Sequence, residues 1–302
     1  MTTPSRRAAI LGSLTMAAAP EPLQADPNRM TLALHQTTSA GAGFRGSLEG
    51  WARAGIKFVE LSDVLLDEFL KTEKLAAAGR ILGDLGLTVV QAATGVTGLW
   101  EPNPGRSNSM AKFKTRCEVY ATLGLKNVYA TTLAAQKIQS EDYAAAGEHM
   151  QAAGEIARQF KLSLRIEFLR SSTFISTLPT LLEVIRQAGH PNVAPMFDFY
   201  HFWSGLSKME DIELVRPGEI AHVHFQDVPD TPRELLDSTT RAIPGDGVAP
   251  LTQILSKLAA KGYAGPLSVE LFLPRFQQGD PFEVAREIRQ KAEIVMRRAG
   301  VM

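Results

Sequence analysis

A single (β/α)₈ barrel of the TIM type is the α/β fold class this chain predicts, and three observations predict it. From residue 30 onward, eight short apolar runs alternate with helical patterns, each run followed by a helix. The chain has 302 residues, and one such barrel needs about 250, leaving room for a leader. Four of the runs end in a chemically active side chain: Glu167, Asp198, His224 and Glu270. In a closed parallel barrel, strand carboxyl ends converge on one mouth, where active sites are built.

The strand-like runs fall at 30–35, 57–61, 87–92 and 127–131, then at 162–168, 193–199, 220–225 and 266–272. Between them lie helical patterns at 47–54, 64–85, 110–124, 140–160, 177–188, 208–215, 251–261 and 281–298. Ser47, Ser140 and Thr177 are read as capping residues. Gly55, Gly86, Gly124 and Gly262 mark helix ends before runs two, three, four and eight. An open, doubly wound sheet would carry a Gly-x-Gly-x-x-Gly turn after its first strand. The stretch 39–46 matches that only superficially and is read as a flexible loop at the mouth. The longer connections 95–109 and 228–249 follow runs three and seven, on the side where substrate contacts are made.

The bulk numbers exclude several functions. Lys+Arg and Asp+Glu both number 32, so the basic excess of a nucleic-acid surface is missing. Cys117 is the single cysteine, which rules out an intramolecular disulfide and a cysteine-rich zinc module. It sits in a helical pattern and is read as a small buried filler. No apolar run reaches the ~18 residues of a membrane span. Residues 1–29 differ from the rest: Arg6-Arg7 precedes the apolar stretch 8–19 and a Pro-rich polar segment. This is the pattern of a twin-arginine-type export leader, with a frayed cytoplasmic N-terminus as the alternative. Export would place residues 30–302, the catalytic domain, in the periplasm.

Side chains alternate along a strand. The fifth run therefore sends Ser163, Arg165 and Glu167 inward, the seventh His222, His224 and Gln226, and the eighth Ser268, Glu270 and Phe272. Three carboxylates and an imidazole converging at one level repel or desolvate one another unless a cation holds them. An internal salt-bridge network without metal is the alternative. Mixed carboxylate and imidazole donors suit Mn²⁺, Co²⁺, Mg²⁺ or Zn²⁺.

These motifs, in this order, resemble the xylose-isomerase-like barrel superfamily, in particular its sugar isomerase and epimerase branch of ketose 3-epimerases. The resemblance covers about residues 30–298. It rests on Glu167, Asp198-Phe-Tyr-His201, His224, Arg241-Ala-Ile-Pro-Gly-Asp-Gly247 and Glu270, the Arg241 motif having one extra residue before Pro244. The resemblance implies one divalent cation held by Glu167, Asp198, His224 and Glu270, with Mn²⁺ expected before Mg²⁺, Co²⁺ or Zn²⁺. It implies that His201 and Arg241 contact substrate oxygens. A keto sugar or related small carbohydrate would pass through a metal-stabilised enediolate, with Glu167 and Glu270 moving the proton between its faces. If the intermediate expels a β-substituent instead, the same residues make a lyase or dehydratase of a keto sugar, keto-glycoside or keto-inositol.

Apurinic-site endonucleases of the same superfamily are a remote alternative. Their additional His ligands are replaced here by Gln91 and by Thr240-Arg241-Ala242. A non-catalytic sugar- or metal-binding barrel is a third reading, which the pair of Glu residues argues against. His35 ends the first run and is a candidate substrate contact. His222 faces inward as support for His224 or as a further substrate contact. Trp100, Phe202 and Trp203 are read as stacking or packing residues, and Pro244–Gly247 as a turn. The oligomeric state is left open, a homo-oligomer included.

Overall fold

The computed structural model describes residues 29–302, so the export-leader reading lies outside the described residues, apart from Arg29. β1 (Thr31–His35) passes through a 3₁₀ segment (Gln36–Ala42) into α1 (Gly43–Arg53). β2 (Phe58–Leu61) is followed by α2 (Asp63–Phe69) and α3 (Leu75–Asp84), and β3 (Thr88–Ala93) by α4 (Arg106–Thr122). β4 (Asn127–Thr131) precedes α5 (Ser140–Gln159), and β5 (Ser163–Glu167) precedes α6 (Leu178–Ala188). β6 (Val193–Asp198) leads into the short α7 (Phe199–Ser204). β7 (His222–His224) precedes α8 (Leu251–Ala260), and β8 (Pro266–Val269) precedes α9 (Pro274–Gln277) and α10 (Pro281–Arg298).

The eight strands close into one parallel barrel in sequence order, β8 pairing with β1. The expected fold is the observed one. The longer helices bury an apolar face, as with Leu178, Leu181, Leu182 and Ile185 of α6. Cys117 is buried within α4, and burial pushes its thiol up to about 12, as expected of an inert filler. No described helix is long and apolar enough to cross a membrane.

Several element readings need correction. The single helix expected over 64–85 is broken at 71–74, where four consecutive exposed polar residues offer no apolar face to pack. The loop expected at 39–46 is ordered, and α1 starts at Gly43, ahead of the predicted 47. Ser47 is no cap: it is buried inside α1, where Gln36 Nε2 donates to its hydroxyl at 3.1 Å. Gly41 serves packing, since a β-carbon there would lie 2.7 Å from the Gln277 carbonyl oxygen, whereas Gly43 supplies a left-handed φ of 66°. Gln139, not Ser140, caps α5, whereas Thr177 caps α6 as expected. The helix expected at 208–215 is a 3₁₀ segment, Met209–Leu214.

Register fixes which strand ends share a level. Thr131 pairs with Glu167, Asp198 with His224, and His35 with Glu60. The barrel interior at this height is therefore polar, and its satisfaction decides what the site can do.

Candidate metal and active centre

Glu167, Asp198 and His224 are the last residues of β5, β6 and β7, and Glu270 follows β8 by one residue. All four are buried, and one donor atom from each lies within 4.8 Å of the others. His224 Nδ1 faces the three carboxylates, 2.8 Å from Glu167 Oε1, 3.5 Å from Asp198 Oδ2 and 3.6 Å from Glu270 Oε2.

Asp198 divides its carboxylate between two tasks. Oδ1 accepts the His201 backbone N–H at 2.6 Å and so caps α7. Oδ2 accepts from Gln226 Nε2 at 2.6 Å and from Arg241 Nη1 at 3.4 Å. The Asp-x-x-His spacing thus sets one carboxylate at a helix start and the other polar group, His201, one turn on. Arg241 Nη1 also pairs with Glu270, and Nη2 lies 3.0 Å from His201 Nε2. Its guanidinium sits 4.9 Å from the Phe272 ring centre and 5.4 Å from that of Tyr200.

Arg241 keeps this place because its loop is pinned from behind. Asp227 and Ala242 form an antiparallel bridge. The Asp227 carboxylate also accepts the backbone N–H groups of Gly245, Gly247 and Ala249, each at 3.0 Å. Pro244–Gly247 is therefore a turn wrapped around Asp227. The extra residue before Pro244 does not displace Arg241 from the cluster.

Beneath this layer lies a carboxylate that reading along the chain missed. Glu60 of β2 is fully buried. His224 Nε2 lies 3.1 and 3.2 Å from its two oxygens, His222 Nε2 lies 3.1 Å from Oε2, and Gln91 Nε2 donates to Oε1 at 2.7 Å. Arg165 Nη1 in turn donates to Gln91 Oε1 at 3.0 Å and to His222 Nδ1 at 3.3 Å. This fixes His222 as the neutral tautomer that donates from Nε2. It packs below the site and does not line the mouth cavity, so supporting the Glu60 layer, rather than substrate contact, is the placement it has. The signal for Glu60 was present: a lone acid at an inward position of the apolar run Phe-Val-Glu-Leu.

The cavity at the mouth holds ≈ 240 Å³ and is bounded by His35, Asp63, Thr94, Tyr129 and Glu270, among others. His35 Nδ1 lies 3.5 Å from Glu270 Oε1, and its Nε2 lies 3.1 Å from the Tyr129 hydroxyl. His201 and Arg241 are buried one step away, behind Glu270. Trp100 is packing rather than a stacking platform, for it is buried and donates from Nε1 to the Thr131 carbonyl at 2.9 Å. Phe202 packs on Phe197, and Trp203 against Tyr200, Val228 and Leu236.

Electrostatics test whether these residues suit a cation. Burial opposes ionisation of every acid here. For Glu60 the imidazoles of His224, His222 and His35 outweigh it and hold the carboxyl well below its usual range. For Glu270, Arg241 with His35 and His224 also outweighs burial and lowers the carboxyl. Glu167 loses that contest: burial, with Asp198 and Glu270 nearby, pushes it up to about 8. Burial disfavours the His224 cation too, yet Glu60, Glu167 and Glu270 raise it well above an ordinary imidazole. The side chains alone thus keep protons on both Glu167 and the Nδ1 face of His224. With a divalent cation bound among the same donors, all three carboxylates would be ionised and His224 Nδ1 free of its proton, while Nε2–H of His224 would still donate to Glu60. The donor set fits a metal. Gln226 Oε1 and Ser268 Oγ, both buried without a hydrogen-bond partner, add polar capacity in the same barrel interior.

Residues 48–297 match the xylose isomerase-like TIM barrel family. The chain belongs to it. Among curated relatives, an inosose isomerase of Bacillus velezensis is 24% identical over 264 residues, covering 86% of this chain and 94% of its own. Another, from Halalkalibacterium halodurans, is 29% identical over 177 residues, or 58% of this chain; the match spans 63% of that relative's length. A 3-dehydroshikimate dehydratase of Pseudomonas aeruginosa is 26% identical over 249 residues, 80% of this chain but 38% of its own. All three are enzymes. A crystal structure of IOLI protein with a binding zinc atom superposes with a TM-score of 0.84 at 23% identity, covering 90% of this chain and 100% of that one. That likeness is one of fold.

Proposed function

We propose that this family member is a divalent-metal-dependent isomerase or epimerase of a keto sugar or a cyclic polyol ketone of the inosose kind. One observation carries the reading: Glu270 belongs to the four-donor cluster and also borders the mouth cavity. A bound ketone would therefore meet the cation's donors and a carboxylate base at one place. Glu167, Asp198, His224 and Glu270 would hold the cation, and Mn²⁺ suits three carboxylates with one imidazole, as Co²⁺, Mg²⁺ and Zn²⁺ also do. When bound, it would supply Lewis-acid stabilisation of charge on the substrate's carbonyl oxygen. Glu270, held ionised by Arg241, takes the proton from the carbon beside that carbonyl. Glu167 serves the opposite face. His201 and Arg241 keep Glu270 and Asp198 oriented from behind the cavity.

A dehydratase or lyase of a keto sugar or keto-inositol is the second reading, favoured by the dehydratase relative. Turnover in deuterated water separates the two. Isomerisation or epimerisation of inosose introduces deuterium beside the carbonyl and otherwise keeps the mass, whereas elimination yields an unsaturated product lacking the elements of water. Product without deuterium and without unsaturation contradicts both.

A further inference from the structure

The mouth cavity says more about the substrate than the reaction does. Its wall carries the hydroxyls of Thr37, Ser62, Thr94, Thr97, Tyr129 and Thr131 and the carboxylates of Asp63 and Glu270. Among the described residues that line it, no lysine or arginine is present. Its ≈ 240 Å³ falls below the roughly 300–1,000 Å³ of pockets for drug-sized ligands, which suits a single six-membered ring better than a glycoside.

Asp63 is built into this wall. It is the first residue of α2, directly after the capping Ser62, on the β2–α2 connection at the barrel mouth. Its carboxyl is raised chiefly by burial, against the pull of Arg116 and nearby backbone N–H groups. Arg116 does not neutralise it by contact, because both oxygens of Asp67 hold that guanidinium at 2.7 and 2.6 Å. The opposing chain makes room for the acid. Gly95 has φ +62°, and a β-carbon there would lie 1.7 Å from Asp63 Oδ2. Glycine is thus required at 95 both by its backbone and by the carboxylate beside it.

We propose that the cavity selects an uncharged, monosaccharide-sized polyhydroxy ketone, Asp63 accepting hydrogen bonds from substrate hydroxyls and repelling the carboxylate or phosphate of anionic analogues. A carboxylate is a strong acceptor for a sugar hydroxyl, and for an anionic ligand it is a charge of the wrong sign. The selection rests on the proposed polyhydroxy-ketone reading and sharpens it, since 3-dehydroshikimate is an anion and inosose is not.

Binding of two unreactive probes to the metal-loaded full chain, measured by calorimetry, tests it: myo-inositol, neutral, and shikimate, anionic. The expected result is at least roughly tenfold tighter binding of myo-inositol. Asp63→Asn, with Asp63→Ser as a second removal of the charge, should weaken myo-inositol roughly tenfold or more, the worth of a hydrogen bond to a charged group. Asp63→Lys should reverse the order of the two probes. Equal or tighter shikimate binding by the unaltered protein, no detectable myo-inositol binding, or unchanged myo-inositol affinity in folded Asp63→Asn and Asp63→Ser overturns the proposal. If the binding order holds but no keto sugar or inosose exchanges a proton, the isomerase reading fails while the selection by Asp63 stands.

Discussion

Glu60 Oε1 and Oε2 lie 3.1 and 3.2 Å from Nε2 of His224, whose Nδ1 lies 2.8 Å from Glu167 on the opposite side. The imidazole is therefore clamped between a carboxylate that orients it and the cluster that would hold the cation. With a cation bound, the arrangement would be that of a carboxylate–histidine–metal triad, in which the outer acid sets the tautomer and strengthens the ligand.

Glu60→Gln should consequently weaken metal binding by about 10–100-fold, although Glu60 is outside the four-donor cluster. Competition against a chromogenic chelator measures it. His222→Gln, which removes a neighbour of Glu60 but leaves the Glu60–His224 contact, should cost less. Equal effects of the two changes would mean general damage to the barrel interior.

The stability of metal-free protein should fall as pH rises from about 6.5 to 8. Glu167, raised to about 8 from an ordinary 4.5, holds its proton more tightly in the folded state than in the unfolded chain. The stability this contributes is complete below about 4.5 and is lost as pH climbs through 8. His224, raised as well, acts in the same direction. His201 and His222, both lowered to about 4 by burial, work oppositely, but only between about 4 and 6.5. Each group that must shed its proton contributes up to about 1.4 kcal/mol per pH unit. Denaturant midpoints of chelator-treated protein check this, with a shallower fall expected for Glu167→Gln. Saturating divalent cation should abolish the decline, since it replaces the same protons.

Asp227→Ala should loosen the 244–249 turn and, with it, Arg241. Four backbone N–H groups, those of Val228, Gly245, Gly247 and Ala249, lose their acceptor at once. The loss should amount to about 2–4 kcal/mol of stability. Activity should fall while metal content is retained, because Asp227 touches no member of the four-donor cluster. Asp227→Asn, which keeps one oxygen acceptor, should recover part of both. Chemical denaturation and metal analysis on the same preparations provide the check.

Most of the barrel, and the four-donor cluster, could be read because each of those donors terminates an apolar run, where polarity stands out. Glu60 carries the same mark, an inward acid followed by an apolar residue as Glu270 is by Leu271, but nothing near it in sequence shows what it faces. Only closure of the barrel carries β2 round to face His222 and His224 of β7. Asp63 reads locally as an acidic first turn of a helix, and its place in the cavity depends on Gly95, 32 positions away. Asp227 is an ordinary loop acid until the 228–249 connection folds back on it. What reading along the chain lacks is contact across the barrel and between loops, where neighbours are distant in sequence.

The central claim is that Glu270, at the cavity edge, takes the substrate proton while belonging to the four-donor cluster. Solvent-deuterium incorporation into inosose by metal-loaded Glu270→Gln, relative to the unaltered protein, tests it most directly. Glutamine keeps an oxygen donor and the size of the side chain but cannot take the proton. The account predicts that the variant retains its cation and loses roughly 10²–10⁴ of the exchange rate. Exchange at the normal rate by the metal-loaded variant would contradict it.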